Sequence, residues 1–260
     1  MTQLIDQQRQ WSSEFSQLER EMVEALPPGG HGPWWQNAKD LLRHLSRPAV
    51  LTDVLRSLIN TPDRLREVAN RSITHSLGFD KIVLIDPRDP QSQQTAFRLR
   101  LHLWWPQTRR EQPEDLIDGV HNHFTDFSSV ILKGTLTNQI YEVSKRGGGD
   151  WYHYKALPLF SNATNRQSNF PLQGRVTLKC THQADLVAGS IYHLPYQTLH
   201  NSFNDTSSLA ATLLIYGQYE TQEVDMFRLN PITEESVEVM QRFTPELLAE
   251  TLERFIAEAL

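Results

Sequence analysis

Residues 119–134 read GVHNHFTDFSSVILKG, with two histidines, His121 and His123, separated by one residue. Side chains two apart on a β-strand project to the same face, so both imidazoles can reach one ion. A second stretch, residues 189–204, reads GSIYHLPYQTLHNSFN and supplies His200 from a strand distant in the sequence. Together the two stretches predict a mononuclear metal site in a β-barrel.

The chain has ten histidines, and the alternative interpretation of these three is that they are unrelated. The Gly-x5-Pro-x4-His-x3-Asn spacing around His200 favours metal binding. Strand alternation decides whether His153 and His193 also enter the pocket as substrate-binding residues. The histidines with no partner pattern are expected at the surface or at helix caps: His31, His44, His75 and His182.

Residues 97–105 alternate between apolar and polar side chains. The pattern predicts a strand whose core face carries Phe97, Leu99, Leu101 and Leu103 and whose other face carries Arg98, Arg100, His102 and Trp104. If the second face lines the barrel mouth, its two guanidiniums can clamp a carboxylate or a phosphate beside the metal, with Trp104 as an apolar wall. The alternative is that both arginines face solvent on an outer strand.

Periodicity predicts helices at both ends of the chain and strands between them. The predicted helices are Leu4 to Leu26, Trp34 to Ser46, Ala49 to Ser76 with an interruption at Thr61-Pro62-Asp63, and segments opening at Thr233 and Thr244. The predicted strands are Lys81 to Ile85, Phe97 to Trp105, Ser129 to Lys133, Thr135 to Val143, Trp151 to Leu157, Arg175 to Cys180, Ser190 to Leu194 and Ala210 to Tyr216. Eight short strands suit a jelly-roll barrel.

Composition indicates a soluble single-domain enzyme. The 260 residues are long enough for a full core, and the formal net charge of −6 gives no general attraction to nucleic acid. The N-terminus lacks a signal-peptide core, and no apolar run approaches the ~20 residues of a membrane span. A single cysteine, Cys180, rules out an intramolecular disulfide and fits a reducing compartment, so cytoplasmic residence is the default expectation.

The two histidine stretches resemble the motifs of the cupin superfamily, namely His-x-His followed by a glycine, and Gly-x5-Pro-x-Gly-x2-His-x3-Asn. The second motif fits from Gly189 to Asn204, with Gln197 in place of its internal glycine. Where many cupins supply a glutamate ligand, this chain has Phe127 or Ser128. The resemblance therefore implies a jelly-roll barrel and a ligand set of three histidines without a carboxylate.

Among cupins, this ligand set and its surroundings look most like the cysteine dioxygenase group of thiol oxygenases. The matching features are Asp126 beside the His-x-His, the Leu-Lys-Gly134 turn, the Leu-Trp-Trp105 strand end and Tyr216 on a late strand, over roughly residues 78 to 220. The resemblance implies a mononuclear non-haem Fe(II) dioxygenase, with Tyr216 as the catalytic residue.

The departures from that group fall on residues that act on the substrate. Its crosslinked cysteine corresponds to Ser128, and its Ser-x-His-x-Tyr relay becomes Thr212, Leu214 and Tyr216. Its carboxylate-binding arginine aligns loosely with Lys81. The identity of the substrate therefore cannot be carried over, although Ser128 and Lys81 stay candidate substrate contacts.

Three neutral imidazoles leave the double charge of a divalent ion uncompensated, so we expect an anionic chelating substrate, with open positions for O2. Fe(II) is the expected metal, with Ni, Mn or Zn as alternatives. Two other hypotheses remain: a metal-dependent isomerase or lyase, and a noncatalytic small-molecule-binding protein.

The chain is expected to divide into an N-terminal helical segment, 1–77, a barrel with the metal site, 78–228, and C-terminal helices, 229–260. An apolar stripe in the first helix comprises Trp11, Phe15, Leu18 and Met22. Such a stripe packs against the barrel or forms a homodimer contact, since both look alike in sequence.

Overall fold

The computed structural model of the chain describes residues 11–26, 34–75, 78–87, 97–106, 119–156, 171–204, 208–232 and 241–260. Several predicted features lie outside these ranges. They are the first ten residues of the chain, the Pro27 to Gly30 linker, His31, Leu157 and the helix opening at Thr233.

The described residues form five helices: α1 (Phe15–Ala25), α2 (Trp34–Leu45), α3 (Pro48–Ile59), α4 (Pro62–Arg71) and α5 (Pro245–Ala259). Three of them begin with proline, whose fixed φ and missing N–H suit the first helical turn. The Thr244 hydroxyl caps α5 by accepting a hydrogen bond from the Leu247 N–H. The predicted continuation of α4 to Ser76 is wrong, because residues 73–75 pair with a neighbouring strand.

Eleven strands follow from the described backbone: β1 (Ile73–His75), β2 (Phe79–Ile85), β3 (Arg98–Trp104), β4 (Val120–His121), β5 (Phe127–Lys133), β6 (Thr135–Ala156), β7 (Leu172–Val187), β8 (Ile191–Leu194), β9 (Leu199–Phe203), β10 (Ala210–Tyr216) and β11 (Val224–Arg228). The two strands predicted between Thr135 and Leu157 are joined in β6. Four short strands, β1, β4, β9 and β11, were not predicted, since runs of two to five residues carry little periodic signal.

The strands form two antiparallel sheets. The six-stranded sheet has the order β1-β2-β3-β10-β5-β8, and the five-stranded sheet has the order β11-β4-β9-β6-β7. From β7 onward, successive strands belong to alternate sheets, which is the winding of a jelly roll. The predicted fold, mainly β with flanking helices, is confirmed.

The helices pack on the outer face of the six-stranded sheet. Contacts join α2 to β5 and β10, and α4 to β2, while α5 lies on α3 and α4. The side chains of the N-terminal stripe are all buried within the chain, in the same core as Leu99, Leu101 and Leu103. The stripe thus packs within the chain. No described helix has the length and apolar character required to cross a bilayer.

Candidate metal centre

The three predicted histidines lie close together in the five-stranded sheet, where the short strands β4 and β9 are neighbours. His121 on β4 and His200 on β9 are directly paired across the sheet. His123 follows β4, and its backbone N–H donates to the carbonyl oxygen of Tyr196, just before β9. One ligand atom from each imidazole lies within 4.8 Å of the other two. The structure thus brings together the group that the sequence spacing predicted.

Hydrogen bonds orient two of the rings. Nδ1 of His121 lies 2.7 Å from the carbonyl oxygen of Gly119, and Nδ1 of His200 lies 3.1 Å from Oδ1 of Asn138. An oxygen acceptor at Nδ1 selects the tautomer that carries its proton there, which leaves the lone pair of Nε2 available. Ser202 donates to the same Asn138 oxygen at 2.9 Å, so the acceptor is itself held in place.

The electrostatics favour three neutral imidazoles. Burial lowers the pKa of His121, and it lowers the pKa of His123 and His200 well below the usual range, assisted by the neighbouring imidazoles. Metal ligation requires the neutral form.

The spacing of the nitrogens also fits a metal ion. Nε2 of His123 and Nε2 of His200 are 2.8 Å apart. Two nitrogens bonded at about 2.0–2.1 Å to one divalent ion stand roughly 3 Å apart. The three residues therefore fit a first-row divalent cation. Within the described residues, no carboxylate joins the group.

An aromatic wall stands beside His123. Its ring lies 4.9 Å from that of Phe127 and 5.7 Å from that of Tyr216, and these two rings stack on each other at 5.0 Å. Phe127 thus occupies the position where the cupin resemblance implied a glutamate or its replacement. The guanidinium of Arg100 lies 4.2 Å over the Tyr216 ring. Burial raises the pKa of Tyr216 against the opposing effect of Arg100, so its phenol is a proton donor at neutral pH.

The polar face predicted for β3 lines the interior of the fold. Tyr216 pairs with Arg98, and Thr212 pairs with His102, which places these four side chains on one face of the sheet. Lys81 on β2 joins them, because it pairs with His102. The pKa of His123 is lowered in part by Arg100 and His102, so this face reaches the histidines. The solvent-facing alternative for Arg98 does not hold, because Arg98 is buried.

Trp104 lies further along the same face, away from the histidines. It packs with Phe79, Ile131 and Ala210 in a small apolar cluster, and the ring of Phe79 lies 4.7 Å from that of His102. Trp104 therefore closes one end of the interior, as the predicted apolar wall would.

Ser128 and His193 lie on the opposite face of the six-stranded sheet. They are paired across β5 and β8, and Oγ of Ser128 lies 3.2 Å from Nδ1 of His193. The His193 ring contacts the rings of Trp34 and Trp35 on α2. The prediction that these two residues face the substrate is corrected, because strand alternation turns them towards the helices.

His153 is also turned away from the metal site. It stacks on Phe227 at 4.6 Å, and its Nε2 lies 2.6 Å from Oδ1 of Asp225. Phe227 pairs with both His153 and Val120, and Val120 alternates with His121. His153 therefore occupies the outer face of the five-stranded sheet, where it holds Asp225 rather than a substrate.

Sequence reasoning missed the residues that support the histidines. Asn122, between the two ligands, exchanges hydrogen bonds with β11: its backbone N–H donates to the Asp225 carbonyl oxygen at 3.1 Å, and its Oδ1 accepts from the Asp225 N–H at 2.6 Å. Asn138, which orients His200, was missed too. Neither asparagine belongs to a spacing pattern, so only the strand pairing reveals it.

No protein-family model and no curated protein matches the chain. Among solved structures, one of oxalate oxidase in complex with the substrate analogue glycolate matches with a TM-score of 0.30 at 12% identity, over 58% of this chain and 56% of that one. A structure of FeII HppE matches with a TM-score of 0.29 at 9% identity, over 53% and 49% of the two chains. Oxalate decarboxylase from Bacillus subtilis matches with a TM-score of 0.32 at 11% identity, over 60% and 30%. The chain thus spans 30% to 56% of the lengths of these proteins.

Proposed function

We propose that this protein is a mononuclear, non-haem Fe(II)-dependent dioxygenase that acts on a small anionic chelating metabolite, such as an amino acid or a thiol acid. The observation that carries the proposal is the convergence of three neutral imidazoles, joined by no carboxylate from the described residues, beside a buried cationic face. The choice of iron and of dioxygen rests on the likeness of this ligand set to the three-histidine thiol dioxygenase group.

His121, His123 and His200 would hold the metal through nitrogen. A bound divalent ion would supply a Lewis-acidic, redox-active centre with open positions for substrate and O2. Because no described carboxylate shares in the ligation, the ion would keep its double positive charge. That charge favours a substrate that binds as an anion. Nickel, manganese and zinc are the alternative metals, because imidazole accepts each of them.

The side chains around the site would bind and orient the substrate. The protonated phenol of Tyr216 stands beside His123 and can donate a hydrogen bond to a substrate atom. Arg100, over the Tyr216 ring, can bind an acidic group of the substrate. Phe127 covers the adjacent wall and excludes water from the reacting atoms.

The test is O2 uptake by iron-loaded protein with a panel of small amino acids, thiol acids and other acids. We expect one compound to give O2 uptake in the wild type and none in His200→Ala, with His182→Ala as the control because His182 is an exposed histidine on β7. Tyr216→Phe should retain metal and lose most of the uptake.

The same panel separates the alternatives. Conversion of a compound under strict anaerobiosis would replace the dioxygenase with a metal-dependent isomerase or lyase. Tight binding of an acid without any conversion would favour a noncatalytic small-molecule-binding protein.

A further inference from the structure

We propose that Lys81, Arg100, His102 and Thr212 form a binding site for a doubly charged tetrahedral oxyanion, a phosphate or phosphonate group, on the inner face of the six-stranded sheet. We call these four residues the oxyanion row. The assignment of this group to the substrate rests on the proposed function, whereas the oxyanion site itself stands without it.

Arg98 is excluded from the row because its charge is already matched. Its Nε lies 3.5 Å from a carboxylate oxygen of Asp86, and both side chains are almost fully buried. Its Nη2 donates to the hydroxyl of Tyr219 at 2.7 Å, and its guanidinium lies 4.8 Å over the Tyr219 ring. Arg98 is therefore a structural cation.

Arg100 differs from Arg98 in this respect. Its Nε, like that of Arg98, is buried without a hydrogen-bond partner in the described part of the chain. Its charge faces the Tyr216 ring rather than a carboxylate. Desolvation of a partly buried guanidinium is costly without an anion, so a ligand that supplies negative charge would offset that cost.

The other three residues stand side by side on adjacent strands. Lys81 and Thr212 are both paired with His102, from β2 and β10 respectively. Across the residues that the structure describes, neither Nε2 of His102 nor Oγ1 of Thr212 has a hydrogen-bond partner, although His102 is 6% exposed and Thr212 is 1% exposed. Buried polar atoms in native proteins are nearly always satisfied. Two such atoms from neighbouring strands point to a shared polar ligand.

The charge and donor count select the class of ligand. With Arg98 paired to Asp86, Lys81 and Arg100 remain as two cations, and His102 and Thr212 add two neutral donors from the same face. A carboxylate has one charge and two oxygens, so it matches one guanidinium. A phosphate or phosphonate has about two charges at neutral pH and three terminal oxygens, which suits donors arriving from three strands.

The protonation of Lys81 is consistent with a phosphate or phosphonate ligand. Burial, together with the nearby charges of Arg100 and Arg98, lowers the pKa of Lys81 to about 7. A bound dianion would offset those charges and keep the ammonium group protonated.

The test is titration calorimetry of the full-length protein with inorganic phosphate, at pH 7 and in a buffer without other oxyanions. The titration is made on protein as purified and again in EDTA, so that binding through a metal is separated from binding by the row. We expect saturable phosphate binding in both samples, with acetate at least tenfold weaker. Arg100→Met should weaken phosphate binding at least tenfold and Thr212→Val several-fold, whereas Arg56→Met, which removes an exposed arginine on α3, should leave it unchanged.

Three outcomes would overturn the proposal: no phosphate binding by the wild type, equal affinities for acetate and phosphate, or unchanged phosphate binding in both Arg100→Met and Thr212→Val. Circular dichroism confirms that each variant is folded. The result is independent of the dioxygenase proposal, because phosphate binding in EDTA requires neither iron nor O2. Phosphate binding without O2 uptake would refute the dioxygenase alone.

Discussion

The two faces of strand β3 differ sharply. Leu99, Leu101 and Leu103 face the helices and belong to the large apolar core, whereas Arg98, Arg100 and His102 face the interior beside the three histidines. One face supplies folding free energy through apolar burial. The other face carries charged groups and unpaired polar atoms that oppose folding. The comparison teaches that a strand anchored firmly on one side can hold binding groups in place on the other.

Within the polar face, a second contrast separates Arg98 from Arg100. Arg98 lies beside a carboxylate and donates to a phenol, whereas the guanidinium of Arg100 lies over an aromatic ring. The contacts of Arg98 stabilise the fold, whereas Arg100 binds an anionic ligand in our proposal.

The largest effect on stability is expected for Arg98→Met. Removing the guanidinium leaves the Asp86 carboxylate buried without that cation, so the free energy of unfolding should fall by about 3–5 kcal/mol. Arg100→Met removes a cation with no carboxylate partner and should change it by less than about 1 kcal/mol. Urea denaturation of both variants measures the difference. Equal losses would erase the distinction between the two arginines.

Leu101→Ala tests the apolar face. Leu101 is fully buried, so the cavity should reduce the free energy of unfolding by about 2–5 kcal/mol. His102→Ala, at the next position on the opposite face, removes an imidazole whose Nε2 has no hydrogen-bond partner among the described residues, and should cost less than about 1 kcal/mol. Chemical denaturation distinguishes them, and a larger loss for His102→Ala would contradict the assignment of the two faces.

Asn138→Ala extends the comparison to the facing sheet. Asn138 orients the His200 ring through Nδ1, and loss of such a partner typically weakens metal affinity 10- to 100-fold, or about 1.4–2.7 kcal/mol. Competition with a chelator measures the affinity. Gln139→Ala, on the opposite face of the same strand, is the control and should bind metal like the wild type. If Asn138→Ala bound metal as tightly as the Gln139→Ala control, Asn138 would not be needed to orient His200 for metal binding.

The smallest effect is expected for Lys81→Met, and it depends on pH. Below pH 7 the folded protein carries the full desolvation penalty of the partly buried ammonium group, so the variant should be more stable than the wild type by about 1–2 kcal/mol at pH 6. Because the pKa of Lys81 falls from 10.5 to about 7 on folding, the unfolded chain binds more protons between those values. The free energy of unfolding of the wild type therefore increases as the pH rises from about 7 to 10.5. The greater stability of Lys81→Met should vanish near pH 10.

Denaturation at pH 6, 8 and 10, without phosphate, checks this prediction. The charged groups that face Lys81 are Arg98 and Arg100, and burial holds His102 neutral by lowering its pKa. A constant difference between Lys81→Met and the wild type across the range would contradict the assigned cause.

The sequence was informative wherever a pattern extends over many residues or over a long motif. The alternation of residues 97–105 predicted both faces of β3, and Ala210 to Tyr216 matches β10 at both ends. His121, His123 and His200 were identified because strand period and motif spacing point to the same three positions.

The sequence was uninformative wherever the pairing register decides the outcome. Ser128 was a candidate because it corresponds to the crosslinked cysteine of the resembling group, but the strand register places Phe127 on the inner face and turns Ser128 to the outer face. His153 lies beyond irregular pairing between Arg146 and Trp151 in β6, so alternation could not be counted through to it. The partner of Arg98, Asp86, lies after β2 and comes close only in the folded chain.

The measurement that tests the central claim most directly is the metal content of anaerobically purified protein, determined by mass spectrometry for the wild type, His200→Ala and His182→Ala. We expect close to one iron per chain in the wild type and in His182→Ala, and little metal in His200→Ala. Zinc or nickel in the wild type and His182→Ala, but not in His200→Ala, would support the three-histidine metal centre and contradict the iron chemistry proposed for it. Absence of metal from the wild type, or equal metal in His200→Ala, would contradict the metal centre itself.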